Sequence, residues 1–272
     1  MGQVDHFSHG ALTPVLAYAM SCVGALLGLL CMARARTASG SSRAQWLGVA
    51  ALAIGGTGIW VMHFIAMLGF RVSGMEIRYD VALTLLSALV AVLVVGAGLF
   101  LVGYGGFRTS ALLAGGVFAG LGVAAMHYLG MAAMNMSGHI GYAPLTVAAS
   151  VLIAVAAATA ALWFAVRVRG MWATVGASLI MGIAVSGMHY TGMLAVDVHP
   201  DPDMAGVDGA RVADLIGPLI VGISLVAMLL LAIIAVNPRD EDLRRPAPRP
   251  DDQAPPPPAG RERPGSLFDP RP

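Results

Sequence analysis

Three histidines in this sequence stand in the same company of residues. Positions 56–67 read GTGIWVMHFIAM, positions 120–131 read GLGVAAMHYLGM, and positions 182–193 read GIAVSGMHYTGM. Each copy has Gly seven before the His, Met one before, an aromatic one after, Ala or Gly three after, and Met four after. On a helix a His and a Met four residues on share a face, one turn apart. The Gly seven before lies on that face too, where it permits close helix approach. His63, His127 and His189 with Met67, Met131 and Met193 thus offer imidazole and thioether, a donor set for a soft or borderline ion such as copper. Calcium or magnesium would require oxygen ligands, which the stripe lacks. The plain alternative for any one copy is a packing pair; three aligned copies favour a shared metal or cofactor site. The Met at +4 serves as a ligand or as core filler, and the Met at −1 points about 100° away. Gly56, Gly120 and Gly182 are read as packing residues at the site.

An ionisable side chain inside a membrane faces the bundle interior and a partner, so the elements around these histidines matter. Charged residues make up 11% of the chain and apolar residues 57%, far from a soluble balance. Seven stretches are apolar and long enough to cross a bilayer, at roughly 11–33, 45–69, 81–103, 110–134, 144–166, 172–196 and 214–236. Every Asp and Glu lies outside them except Asp214, at the very start of the last. The histidines recur 64 and 62 residues apart, so the repeat is a two-helix hairpin. The expected fold is an all-α transmembrane bundle of seven helices, three hairpins plus a closing helix, with the motif helices parallel.

The chain has no Lys. Thirteen of its 16 Arg follow spans one, three, five and seven, and only Arg71, Arg78 and Arg211 fall on the other side. That asymmetry puts the N-terminus outside and the C-terminus in the cytoplasm, with each motif His about 10 Å below the outer surface. Residues 1–236 form the membrane domain; 237–272 hold 11 of the 16 Pro and read as a disordered tail. No basic leader precedes the first span. Cys22 and Cys31 point to opposite faces of one helix and cannot bridge each other. His6, His9, His139 and His199 fall outside the membrane and read as ordinary loop residues, His6 being best placed to help capture an ion.

The segments Met126-His127-Tyr128 and Met188-His189-Tyr190-Thr191 spell out the motif of the MHYT membrane-sensor family, and the chain resembles that family over about residues 6–236. Met62-His63-Phe64-Ile65 is the most divergent copy. The resemblance implies a bacterial inner-membrane sensor whose motif His and Met hold copper and bind oxygen, carbon monoxide or nitric oxide. It also implies a cytoplasmic or membrane signalling partner. A diguanylate cyclase, phosphodiesterase or kinase often follows the domain in the family; none is expected within this chain. A copper carrier and a haem-binding electron carrier are the alternatives, the first weakened because the ligands cluster in the outer half. Retinal is excluded by the missing Lys. No nucleophile–base pair, phosphate-cradling loop or carboxylate dyad suggests an enzyme, and nothing points to nucleic acid.

Overall fold

Lipid offers the backbone no hydrogen-bond partners, so an apolar stretch of about 20 residues crosses it as a helix. Among the described residues of the computed structural model, six helices are long and apolar enough to do so: α1, Leu12–Thr37; α2, Gly40–Met67; α3, Val81–Gly105; α4, Thr109–Ala132; α5, Pro144–Arg167; and α6, Met171–Met193. The structure describes residues 4–105, 108–201 and 207–211, with scattered positions between 214 and 232. The expected seventh span, 214–236, lies mostly outside the described residues. The tail unit, Pro238–Pro272, lies wholly outside them. The protein is a mostly helical, multi-pass membrane protein.

The six helices close a ring. α1 packs on α2 and α6, α3 on α2 and α4, and α5 on α4 and α6. The motif helices α2, α4 and α6 therefore alternate with the others and can all turn a face to the centre. Small residues bring the backbones together, as membrane helices require. A Cβ at Gly120 would stand 2.8 Å from the Val155 nitrogen and 2.9 Å from the Ala154 carbonyl of α5. At Gly182 it would stand 2.5 Å from the Cys22 sulfur of α1. Both cysteines of α1 are free thiols.

One motif helix departs from α geometry. Residues Leu52–Val61 of α2 wind in wide π turns, in which the bonds run from i to i+5. The stretch includes Gly55, Gly56 and Gly58, which offer no Cβ to resist close neighbours. The wider turn moves the tight contact by one residue. A Cβ at Gly55 would come 2.7 Å from the Ala91 carbonyl, whereas at Gly56 it would meet only a Val92 methyl at 3.8 Å. Gly120 and Gly182 pack tightly; Gly56 does not, and its neighbour takes that role.

The loops reached by the C-terminal ends of α2, α4 and α6 carry short strands. They are β1 (Val4–Asp5), β2 (Arg71–Val72), β3 (Arg78–Tyr79), β4 (Met134–Asn135), β5 (Gly138–Tyr142), β6 (Val196–Pro200) and β7 (Ala210–Arg211). All pair antiparallel, and each pair joins different segments: β1 with β2, β3 with β4 and β7, β5 with β6. The three repeats are thereby laced together above the helices, where open strand edges meet water instead of lipid.

Candidate metal centre

The three motif histidines arrive at one point. His63, His127 and His189 are 1%, 0% and 1% exposed. His63 Nδ1 lies 3.0 Å from His189 Nδ1 and 3.1 Å from His127 Nδ1. One ring nitrogen from each lies within 4.8 Å of the others. Their ring centroids are 5.0, 5.0 and 5.1 Å apart, with planes at 84°, 83° and 87°. Three parallel helices around a pseudo-threefold axis produce this near-equal spacing.

A single proton serves that arrangement only as a bent, three-centre hydrogen bond from His63 Nδ1. A neutral imidazole carries one N–H, so each Nδ1 is either donor or acceptor. If His63 Nδ1 holds the proton, that proton is split between the lone pairs of His127 and His189. If it holds the lone pair, two N–H groups compete for it. A cation that accepts all three lone pairs removes the conflict. At the metal–imidazole distance of about 2.0 Å known for zinc, three nitrogens around one ion stand roughly 3.4 Å apart. The two sides that meet at His63 Nδ1 would have to lengthen by only a few tenths of an ångström. The residues present therefore fit a metal ion, with Nδ1 as the ligating atom.

The opposite ring edges are enclosed by neighbouring helices. Nε2 of His63 and of His127 is buried with no hydrogen-bond partner among the described residues. A Cβ at Gly130 would come 2.5 Å from His63 Nε2, and one at Gly192 would strike His127 Nε2. Two of the three imidazoles are thus seated against the glycine, three after the His, of another motif helix. The repeated Ala or Gly at that position was visible in the sequence, but its role depends on a neighbouring helix. The aromatic after each His backs the ring edge-on, at 4.8 Å from Phe64, 4.9 Å from Tyr128 and 5.0 Å from Tyr190. Tyr128 and Ser150 share a hydrogen bond of 2.7 Å.

The methionines are less discriminating. Met67, Met131 and Met193 are 2%, 0% and 2% exposed, and Met62, Met126 and Met188 are equally buried. No hydrogen bond joins a motif sulfur to an imidazole among the described residues. One turn beneath the triad lies an apolar cavity of about 50 Å³, lined by Ile59, Val123 and Val185, each four residues before a motif His, and by Leu99, Ala154 and Met188.

His139 and His199 sit opposite each other across β5 and β6, with His139 3.5 Å from Asp201. His6 packs 5.6 Å from Phe70; burial holds its imidazole below the ordinary value against the upward pull of Asp5.

Comparison with known proteins agrees with this geometry. The MHYT family, described as a bacterial signalling protein N-terminal repeat, matches residues 56–115 and 120–178. Both matches begin at the Gly seven before a motif His. The chain is 42% identical over 208 residues to the bifunctional diguanylate cyclase/cyclic di-GMP phosphodiesterase MucR of Pseudomonas aeruginosa, a match covering 75% of this chain and 29% of that protein. It is 35% identical over 216 residues to the cyclic di-GMP phosphodiesterase NbdA of the same organism, covering 75% and 27%. It is 31% identical over 205 residues to the signalling protein YkoW of Bacillus subtilis, covering 72% and 25%. The chain spans less than a third of the length of these curated relatives. No solved structure matches it. With its repeated motif, its spanning helices and its buried histidine triad, the chain belongs to the MHYT family of multi-pass membrane signalling proteins.

Proposed function

We propose that this chain is a membrane sensor that holds copper through His63, His127 and His189 and responds to a diatomic gas or to redox or metal status. The observation that carries this reading is the meeting of three buried imidazoles, with His63 Nδ1 3.0 and 3.1 Å from the Nδ1 atoms of His189 and His127. Met67, Met131 and Met193 are proposed as further ligands on the outer side, since thioether selects Cu(I). Copper held there would supply an open coordination position to a small ligand. The chain's own residues do the rest. Gly130 and Gly192 seat two of the imidazoles, the following aromatics fix the ring planes, and the buried walls exclude water.

The cavity beneath the triad supports the gas reading. A cavity needs roughly 10–15 Å³ to take one water, so about 50 Å³ suits a molecule of two heavy atoms. Its apolar lining would keep it dry. The same lining argues against a copper carrier, because Ile59, Val123 and Val185 offer an ion no ligands for the next step. Haem is disfavoured too: imidazoles 3.0 and 3.1 Å apart leave no space for a macrocycle between them. The relatives' names point to signalling through cyclic di-GMP, so a cytoplasmic or membrane partner is proposed to receive the signal. The test is metal analysis of detergent-purified protein beside a variant lacking all three histidines, followed by carbon monoxide uptake of the copper-loaded form. Copper in the wild type alone supports the site. Copper without gas uptake would remove the gas reading and leave the metal reading standing.

A further inference from the structure

The end of the bundle remote from the histidines holds a second built site. Twenty helical residues separate Arg43 from His63 on α2, roughly 30 Å. There a cavity of about 190 Å³ lies among α1, α2, α3 and the end of α5. Leu47 and Val102 give it an apolar floor, and Arg36, Arg43 and Arg169 line it from three different segments. No other lining residue among those described is charged.

Two of these guanidinium groups are held in place by the fold. Arg36 donates to the Ala165 carbonyl at 2.7 Å and to the Val168 carbonyl at 2.9 Å. Arg43 donates to the Gly103 carbonyl and lies over the Tyr104 ring, 5.0 Å from its centre. The carbonyls belong to the ends of α3 and α5, where cations are favoured by the helix dipole. That accounts for part of each fork. It leaves Arg43 Nε buried with no hydrogen-bond partner, and Arg169 exposed on the rim. A planar fork fixed on one edge is pre-organised for an oxyanion on another. Basic pockets between spanning helices at the bilayer surface suit phosphate headgroups.

We propose that this cavity binds a phosphate monoanion or diester, with an anionic bilayer lipid as the source. Arg43 and Arg169 bind the phosphate oxygens, Arg36 fixes the near wall, and Leu47 and Val102 face the apolar portion of the ligand. The site is independent of the metal reading, since no residue is shared between them.

Native mass spectrometry of the full chain in detergent, titrated with phosphatidylglycerol or phosphatidylcholine, tests this. The wild type should retain one phosphatidylglycerol and release phosphatidylcholine. Arg43→Gln should raise the apparent dissociation constant about tenfold, the loss of one charge-assisted hydrogen bond. Arg169→Gln, which alters no described hydrogen bond, should weaken retention without changing thermal stability, so a misfolded Arg43 variant does not decide the matter. If inorganic phosphate displaces the lipid from the wild type and both variants lose that competition, the site stands and its source is a soluble phosphate. Equal retention of both lipids by the wild type and both variants would overturn the proposal.

Discussion

At His63, His127 and His189 the controlling fact is an odd number. Two buried imidazoles can share one proton in a straight hydrogen bond, whereas three that meet edge to edge share it only in a bent, three-centre one. An unsatisfied buried polar group costs about 1–3 kcal/mol, a cost that a cation at the triad would relieve. Ligands on one ion act together. Replacing His63, His127 or His189 singly by Ala should remove most of the bound copper, and mass-spectrometric metal analysis would read it. A fall of one third per substitution would mean three separate sites instead. The seats behind the rings make a second prediction. In Gly130→Val and Gly192→Val the new side chain drives into His63 or His127, displacing Nδ1 from the triangle. Copper should be lost while the helical content, read by circular dichroism, is retained. Gly176→Val, where a Cβ meets nothing within 4 Å, is the control that should bind copper normally.

At the scale of elements, the first motif helix behaves unlike its two copies. An ungapped alignment equates Gly56 with Gly120 and Gly182, yet the π turns over Leu52–Val61 hand the close contact to Gly55. Gly55→Ala should therefore destabilise the protein by about 1–3 kcal/mol, the usual cost of overpacking. Gly56→Ala should leave the melting temperature in detergent nearly unchanged. The reverse order would mean that α2 is an ordinary α-helix. This is also where sequence reading reaches its limit. The common level of the three histidines, the parallel motif helices and the hairpin repeat follow from spacing, because a helix of fixed rise converts residue number into height. The π turns do not, since Gly55 and Gly56 are the same residue type and only packing against Ala91 separates them. Nor do β2, β3 and β4, which are two residues long and too short to carry an alternating pattern. The seats at Gly130 and Gly192 were in plain view as letters, but their partner belongs to another helix.

For the whole molecule, the open matter is which way it sits in the membrane. The structure groups the Arg residues more firmly than chain position does. Arg36 bonds to carbonyls at the end of α5, and Arg43 to one at the end of α3. The ends of α1, α3 and α5 and the start of α2 are therefore one face, which also carries Arg34, Arg108, Arg167 and Arg169. The opposite face holds the paired strands, where Arg78 and Arg211 are balanced by Glu76, at 3.3 and 3.5 Å. Cytoplasmic loops keep the excess of basic residues, so the Arg face should be cytoplasmic and the strand cap and triad should lie towards the outside. Ser42, on the Arg face, and Ser73, in the cap, are both exposed and can each be changed to Cys in a chain lacking Cys22 and Cys31. A membrane-impermeant maleimide applied to intact cells should label the Ser73→Cys protein, and the Ser42→Cys protein only after permeabilisation. The opposite pattern would invert the orientation. A reporter fused after Pro272 then separates six spans from seven. If the stretch 214–236 crosses, the tail returns to the Arg face and a reporter active only in the cytoplasm works. If it does not, the tail stays with the strand cap and only a reporter active outside the cytoplasm gives signal.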